Sequence, residues 1–98
     1  MDNLIKNNCK KISSNLTVGE TVDISNYGLI FIMESFVSNG KSFGSFTTIH
    51  RLVGSGTQFI GENGFKTSLG GIFKLEKNSL LTRISAAPNA NNCDIYVL

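Results

Sequence analysis

The feature that most constrains the fold is an apolar stretch over residues 27–37, which reads Tyr-Gly-Leu-Ile-Phe-Ile-Met-Glu-Ser-Phe-Val. Successive side chains of a β-strand point to opposite faces of the sheet, so a strand with one wet face alternates apolar and polar residues. This stretch is apolar on both faces, which would carry Leu29, Phe31 and Met33 on one side and Ile30, Ile32 and Phe36 on the other. The pattern predicts a strand that buries both of its faces.

A chain of 98 residues has little material to cover the second face of such a strand. A single small domain buries only about 60–65% of the surface that its unfolded chain exposes. We therefore expect Phe31 to face the core and a second copy of the chain to cover the other face, although the opposite assignment of the two faces stays open. The predicted oligomer interface consists of Ile30, Ile32, Glu34 and Phe36.

Turn signals at short spacing predict about eight strands and no helix. The clearest signal is Asn39-Gly40, which favours a tight hairpin between the apolar stretch and a returning strand over 42–53. Further strands are predicted over the ranges 16–18, 21–25, 58–60, 65–69, 72–76, 79–86 and 92–98. The fold class that follows is all-β, an antiparallel jelly-roll-like β-sandwich over residues 16–98. Residues 1–15 are expected to be a lead-in segment, acting as a tether, a short first strand or both.

Composition argues against several classes of function. The net charge is only +2 and the basic residues are mostly scattered, so nucleic-acid binding is not expected. No apolar run approaches the roughly 20 residues needed to span a membrane, and the amino terminus is polar, without the hydrophobic region of a signal peptide. One histidine and two distant cysteines do not make a metal site. No motif supplies a catalytic pair of residues, so neither an enzyme nor a cofactor is predicted.

Two residue types in unusual places need separate interpretation. Glu34 lies inside the apolar strand, and we expect it to pair with Arg51 or Arg83 at a subunit boundary. Cys93 is in phase with the apolar residues that follow it, which predicts a buried thiol. Whether Cys93 forms a disulfide with Cys9 stays open.

A set of polar and aromatic residues could form a shallow ligand site. A sugar is held by an aromatic ring on which it stacks and by planar groups that make paired hydrogen bonds. The same residue types would equally serve a polar subunit interface, and this alternative is kept. The candidate ligand-binding residues are His50, Arg51, Arg83, Asn91, Asp94 and Tyr96.

Three segments of the chain carry a resemblance to a known family. They are Gly19–Ile32, with Val22-Asp-Ile24, Tyr27-Gly28 and Leu29-Ile-Phe-Ile32; the hairpin Gly71–Ile84; and the ending Asn92–Leu98. Over residues 16–98 the order of these segments resembles the carboxy-terminal tip domains of bacteriophage tail fibres and related receptor-binding proteins.

The resemblance implies a jelly-roll sandwich that forms a homotrimer at the tip of a fibre. The implied function is non-enzymatic attachment to a bacterial cell-surface glycan or protein, and no catalytic residue is carried over. The implied location is the tail of a virion, after synthesis in the host cytoplasm without a signal peptide. Two alternatives are kept: a structural trimerisation, capping or decoration domain of a virion and, more remotely, a small glycan hydrolase.

Overall fold

Eight β-strands form two four-stranded antiparallel sheets in the described part of the chain. The computed structural model describes residues 7–50, 64–77, 79–88, 90 and 92–98. The strands are β1 (Lys10–Ser13), β2 (Thr21–Asp23), β3 (Leu29–Ser38), β4 (Lys41–His50), β5 (Phe65–Lys66), β6 (Ile72–Glu76), β7 (Leu80–Ser85) and β8 (Asn92–Val97). Sheet A has the order β1-β8-β3-β4, and sheet B has the order β2-β7-β6-β5. The prediction of an all-β antiparallel sandwich is confirmed.

Strands from the two ends of the chain alternate between the sheets. β1 pairs with β8 in sheet A, β2 pairs with β7 in sheet B, and β3 returns to sheet A beside β8. β4 and β6 instead form hairpins with the strands next to them in sequence, β3 and β7. The crossings between the sheets tie both ends of the described chain into one sandwich.

The longest pairing is the β3–β4 hairpin, whose turn the sequence predicts. Ten residue pairs join the two strands without a bulge, from Leu29↔His50 to Ser38↔Lys41. The two turn residues, Asn39 and Gly40, have positive φ angles of 52° and 74°. Positive φ at both central residues is the conformation that Asn-Gly favours and that matches the twist of the flanking strands.

The core lies between the inner faces of the two sheets. Its buried residues are Leu16, Ile24, Ile30, Ile32, Phe73, Leu75, Leu81, Cys93, Ile95 and Val97. Ile30 and Ile32 are fully buried there, each with 0% of its surface exposed. The predicted assignment of the two faces of β3 is therefore wrong, since Ile30 and Ile32 face the chain's own core and Phe31 faces outward.

A second, smaller cluster covers part of the outer face of sheet A. Met33 and Tyr96 are buried there, with Cys9, Phe31 and Phe46 packed against them. The rings of Phe31 and Phe46 meet edge to face, with centroids 6.1 Å apart. Part of the second apolar face of β3 is thus covered within a single chain, which removes that part of the case for a partner.

β1 lies within residues 1–15 and agrees with one of the predicted forms of this segment, a short first strand. It is an edge strand of sheet A, so the sandwich begins before the predicted boundary at residue 16. Residues 16–18 do not form a strand; Leu16 is instead a core residue whose N–H donates to the Cys93 carbonyl oxygen at 2.7 Å. The strand predicted over 58–60 lies outside the described residues. Within those residues, no helix has the length and apolarity to cross a membrane.

Candidate functional site

The outer face of sheet A holds three of the predicted ligand residues. Tyr96 on β8 lies opposite Phe31 on β3, and Asp94 lies opposite Met33. His50 is exposed at the end of β4, opposite Leu29. Paired residues point to the same face of a sheet and side chains alternate along each strand, so all three side chains share the face that carries Phe31 and Met33. His50, Asp94 and Tyr96 are therefore on one surface, as a shared ligand site requires.

Groups of the chain itself already engage two of these three residues. Lys11 Nζ lies 3.6 Å from Asp94 Oδ2 and 5.5 Å from the centre of the Tyr96 ring. The Asn15 N–H donates to Asp94 Oδ1 at 2.9 Å. The negative charge of Asp94 raises the pKa of Lys11 above its usual value, and Tyr96 adds a smaller effect in the same direction. Tyr96 is only 4% exposed, so its ring does not offer a stacking surface for a sugar.

Arg83 lies apart from this face. It is on β7 of sheet B and is buried between the sheets, where its Nη1 donates to the Leu16 carbonyl oxygen at 2.6 Å. Its inclusion in a surface ligand site is therefore wrong. Arg51 and Asn91, the remaining predicted ligand residues, lie outside the described residues.

Glu34 is buried on the inner face of β3, in the chain's own core. Among the described residues, neither of its carboxylate oxygens has a hydrogen-bond partner, so no hydrogen bond joins it to Arg83. Gly71 and Thr67 lie close to the carboxylate, because a Cβ atom added at Gly71 would overlap Glu34 Oε2 and lie 3.2 Å from Thr67 Oγ1. The predicted position at an exposed boundary is wrong, because Glu34 is buried in the chain's own core. The predicted pairing with Arg83 is not made by a hydrogen bond, and the pairing with Arg51 falls outside the described residues.

Cys93 is the neighbour of Glu34 on β8. Both cysteines are free thiols, so Cys93 does not form a disulfide with Cys9. Burial raises the pKa of the Cys93 thiol to about 12, with the Arg83 charge acting in the opposite direction. Cys93 therefore stays protonated at neutral pH, as expected for a core thiol and not for a nucleophile.

The predicted oligomer interface is not at the surface. Ile30, Ile32 and Glu34 are buried in the core between the sheets, and only Phe36 is partly exposed. A copy of the chain that packs against this molecule cannot reach the three buried residues.

One exposed apolar surface lies at the far end of the β3–β4 hairpin. We call residues 36–43 the hairpin end. β8 pairs with β3 only from Ile30 to Ser35, so among the described residues the hairpin end pairs only with itself. The rings of Phe36 and Phe43 stack there with centroids 5.4 Å apart, and Val37 lies on the opposite face of the hairpin. Phe43 is 47% exposed and Val37 is 59% exposed.

Sequence reasoning missed Val37 and Phe43 as surface residues. The available signal was their closeness to the Asn39-Gly40 turn, which places both at the tip of a long hairpin. A hairpin of ten residue pairs extends past the six-residue strand β8, so the outermost apolar residues could have been recognised as exposed.

Among the residues that the structure describes, no group of three or more His, Cys, Asp or Glu side chains could hold a metal ion. Comparison with known proteins gives no further guide to the site. No protein-family model matches the chain, and neither a curated protein nor a solved structure matches it significantly.

Proposed function

We propose that this chain is a non-enzymatic attachment domain of a phage or phage-like tail fibre, that it works as a homotrimer, and that it contacts a bacterial surface glycan or protein through the hairpin end. Three copies on one fibre would raise the avidity of a weak single site through effective concentration. The resemblance of residues 16–98 to fibre-tip domains supplies the biological setting of this proposal.

The observation that supports the proposal is the exposed aromatic pair on a projecting hairpin. Phe36 and Phe43 stack on each other, so each ring restricts the rotamers of the other before any ligand binds. An aromatic ring that is held rigid loses little conformational freedom on binding, which is why such residues dominate binding surfaces. The rest of the predicted sugar site offers less, since Tyr96 is buried and Asp94 is engaged by Lys11.

The same surface also favours a second candidate function, a structural assembly domain. Both faces of the hairpin end carry an exposed apolar residue, with Phe43 on one and Val37 on the other. Apolar surface exposed on both sides of a projecting hairpin suits burial against protein, including another copy of this chain. Attachment and assembly therefore differ in what covers the hairpin end.

The test uses Phe43→Ser and Val37→Ser in the full chain, with Ile84→Ser as the matched control. Ile84 is 46% exposed, but it lies on β7 of sheet B, away from the hairpin. Binding is measured on an array of bacterial surface polysaccharides and on whole bacterial cells, and the oligomeric state by light scattering. We expect Phe43→Ser to abolish binding without changing the oligomeric state, while Ile84→Ser retains binding.

Each other outcome has a definite meaning. A wild-type trimer that Phe43→Ser or Val37→Ser converts to a monomer supports the assembly function instead. Binding that survives both hairpin variants contradicts the assignment of the hairpin end as the contact surface. A wild-type protein that is monomeric at micromolar concentration and binds neither cells nor polysaccharides contradicts the attachment function.

A further inference from the structure

The core contains two charged side chains that have polar atoms without a hydrogen-bond partner among the described residues. Glu34 is 1% exposed and Arg83 is 5% exposed. Four of their atoms are buried without a hydrogen-bond partner in the part of the chain that the structure describes: Oε1 and Oε2 of Glu34, and Nε and Nη2 of Arg83. Buried polar groups are almost always hydrogen-bonded, and buried charges that lack partners destabilise a fold strongly. These four atoms therefore need partners beyond those that the described residues provide.

The two side chains project into the interior of the sandwich from opposite sheets. Glu34 belongs to the inner face of sheet A, and Arg83 to the inner face of sheet B. The Arg83 side chain donates to the Leu16 carbonyl oxygen, and the Leu16 N–H donates to the Cys93 carbonyl oxygen. Cys93 in turn lies opposite Glu34 in sheet A. Both charges also act on the Cys93 thiol, in opposite directions.

The absence of a side chain at Gly71 leaves space for the Glu34 carboxylate. Glycine at position 71 leaves the space beside Glu34 Oε2 that any Cβ atom would fill. The hydroxyl of Thr67, which is also buried, accepts a hydrogen bond from the Gly71 N–H at 2.9 Å. Ser45, the neighbour of Glu34 on β4, is hydrogen-bonded to Ser68 at 2.6 Å.

The chemistry of the four atoms decides what kind of ligand fits. The two carboxylate oxygens require donors, whereas Nε and Nη2 of Arg83 require acceptors. A cation could bind Glu34, but it would be repelled by the guanidinium and would give that group no acceptor. An anion would satisfy Arg83 and be repelled by the carboxylate. Only a small neutral molecule that both donates and accepts can serve both groups, and water does so with two donor and two acceptor positions.

We propose that Glu34 and Arg83 form a water-bridged ion pair, and that one or two buried water molecules between the sheets are a structural part of this protein. Each water donates to Glu34 Oε1 or Oε2 and accepts from Arg83 Nε or Nη2. Buried waters of this kind typically make about three hydrogen bonds to groups that would otherwise be unsatisfied. The bridge links one sheet to the other by directional bonds within the core.

The direct test is a crystal structure of the full chain at a resolution that shows ordered water. We expect density for water within hydrogen-bond distance of both Glu34 and Arg83, and the same long-lived water in solution by magnetic relaxation dispersion. A direct contact between the carboxylate and the guanidinium with no water between them would overturn the proposal. So would a metal ion or an anion bound at the site.

Variants provide a second measurement that does not require crystals. Glu34→Met and Arg83→Met each leave one buried charge without its counterpart, and each is expected to raise the unfolding equilibrium constant by on the order of a hundredfold to a thousandfold. The double variant Glu34→Met/Arg83→Met removes both charges and the need for water. It is expected to be more stable than either single variant and to lose the relaxation signal of the long-lived water.

The control removes charges from an exposed pair on the same molecule. Lys74 Nζ and Glu76 Oε1 lie 3.7 Å apart on β6, with both side chains partly exposed. Lys74→Met and Glu76→Gln are expected to change the unfolding equilibrium constant by less than about fivefold, because exposed pairs contribute little. If the double core variant keeps the water signal, or if the effects of its two substitutions simply add, the water-bridged pair is refuted.

Discussion

Gly71→Ala isolates the close approach between Gly71 and Glu34. The added methyl group would overlap Glu34 Oε2 and crowd Thr67 Oγ1 at 3.2 Å. The carboxylate can move only into a core where it is already 1% exposed. Inserting a methyl group into a packed core costs about 1–3 kcal/mol.

A smaller, favourable effect offsets part of this cost. Replacing glycine by alanine restricts the unfolded chain and stabilises by about 0.4–1 kcal/mol where the backbone conformation suits alanine. Gly71 qualifies, since its φ is not among the positive angles found elsewhere in the described chain. We therefore expect a net loss of about 1–2 kcal/mol, which corresponds to a fall in Tm of roughly 5–12 °C for a domain of this size.

The assay is thermal and chemical unfolding followed by circular dichroism, in three backgrounds. In the wild type and in Glu34→Gln, which keeps an atom at the Oε2 position, Gly71→Ala should cost the same. In Glu34→Ala the obstructing atoms are gone, so the same substitution should become neutral or stabilising. The expected coupling energy is about 1–3 kcal/mol, in the range measured for residues in contact.

Gly28→Ala is the matched control, because a Cβ atom there would meet nothing within 4 Å. It should be neutral or slightly stabilising in every background. If Glu34→Ala does not fold alone, Glu34→Ala/Arg83→Met serves as the background without a buried charge. The reasoning is refuted if Gly71→Ala costs as much without the Glu34 side chain as with it, or if it does not destabilise the wild type.

Two further predictions follow from the two faces of sheet A. Ile32→Asp places a charge in the core and should prevent folding, whereas Phe31→Asp, on the half-buried outer face, should lower the free energy of unfolding by about 1–3 kcal/mol. Soluble yield and unfolding midpoints compare the two variants. A larger loss of stability in Phe31→Asp than in Ile32→Asp would contradict the observed inner face. Burial raises the pKa of Cys93 from 9.0 to about 12. Between pH 9.0 and about 12 the thiol is therefore deprotonated in the unfolded chain and protonated in the folded chain. The free energy of unfolding should fall by about 1.4 kcal/mol for each pH unit of increase in this range. Urea unfolding of wild type and Cys93→Ala over this pH range measures the difference, and equal slopes would contradict the burial of the thiol.

Local signals in the sequence predicted local structure correctly. Asn39-Gly40 gave the position of the hairpin because its positive φ angles are a property of two residues and their turn. The alternation of Cys93, Ile95 and Val97 with Asp94 and Tyr96 correctly predicted a strand whose odd-numbered residues face inward. Each of these inferences depends on residues that are close in the chain.

The inner face of β3 could not be predicted in the same way. Alternation is the cue that tells which face of a strand is buried, and residues 29–33 are apolar throughout. The direction is set instead by pairing with β8, where Ile32 lies opposite Ile95 and Phe31 opposite Tyr96. That register joins residues more than 60 positions apart, and nothing in either segment alone specifies it.

The wrong assignment of the inner face of β3 also led to the wrong oligomer interface. Once Ile30 and Ile32 were taken to face a neighbour, Glu34, which is in phase with them, was expected at the boundary between subunits. In the structure Glu34 lies in the chain's own core. Arg83, the other buried charged residue, belongs to the other sheet. The physical case for an oligomer no longer rests on the centre of β3, because Met33 and Tyr96 bury much of its outer face within one chain. It rests on the hairpin end, where Val37 and Phe43 expose apolar surface that a partner or a ligand would cover.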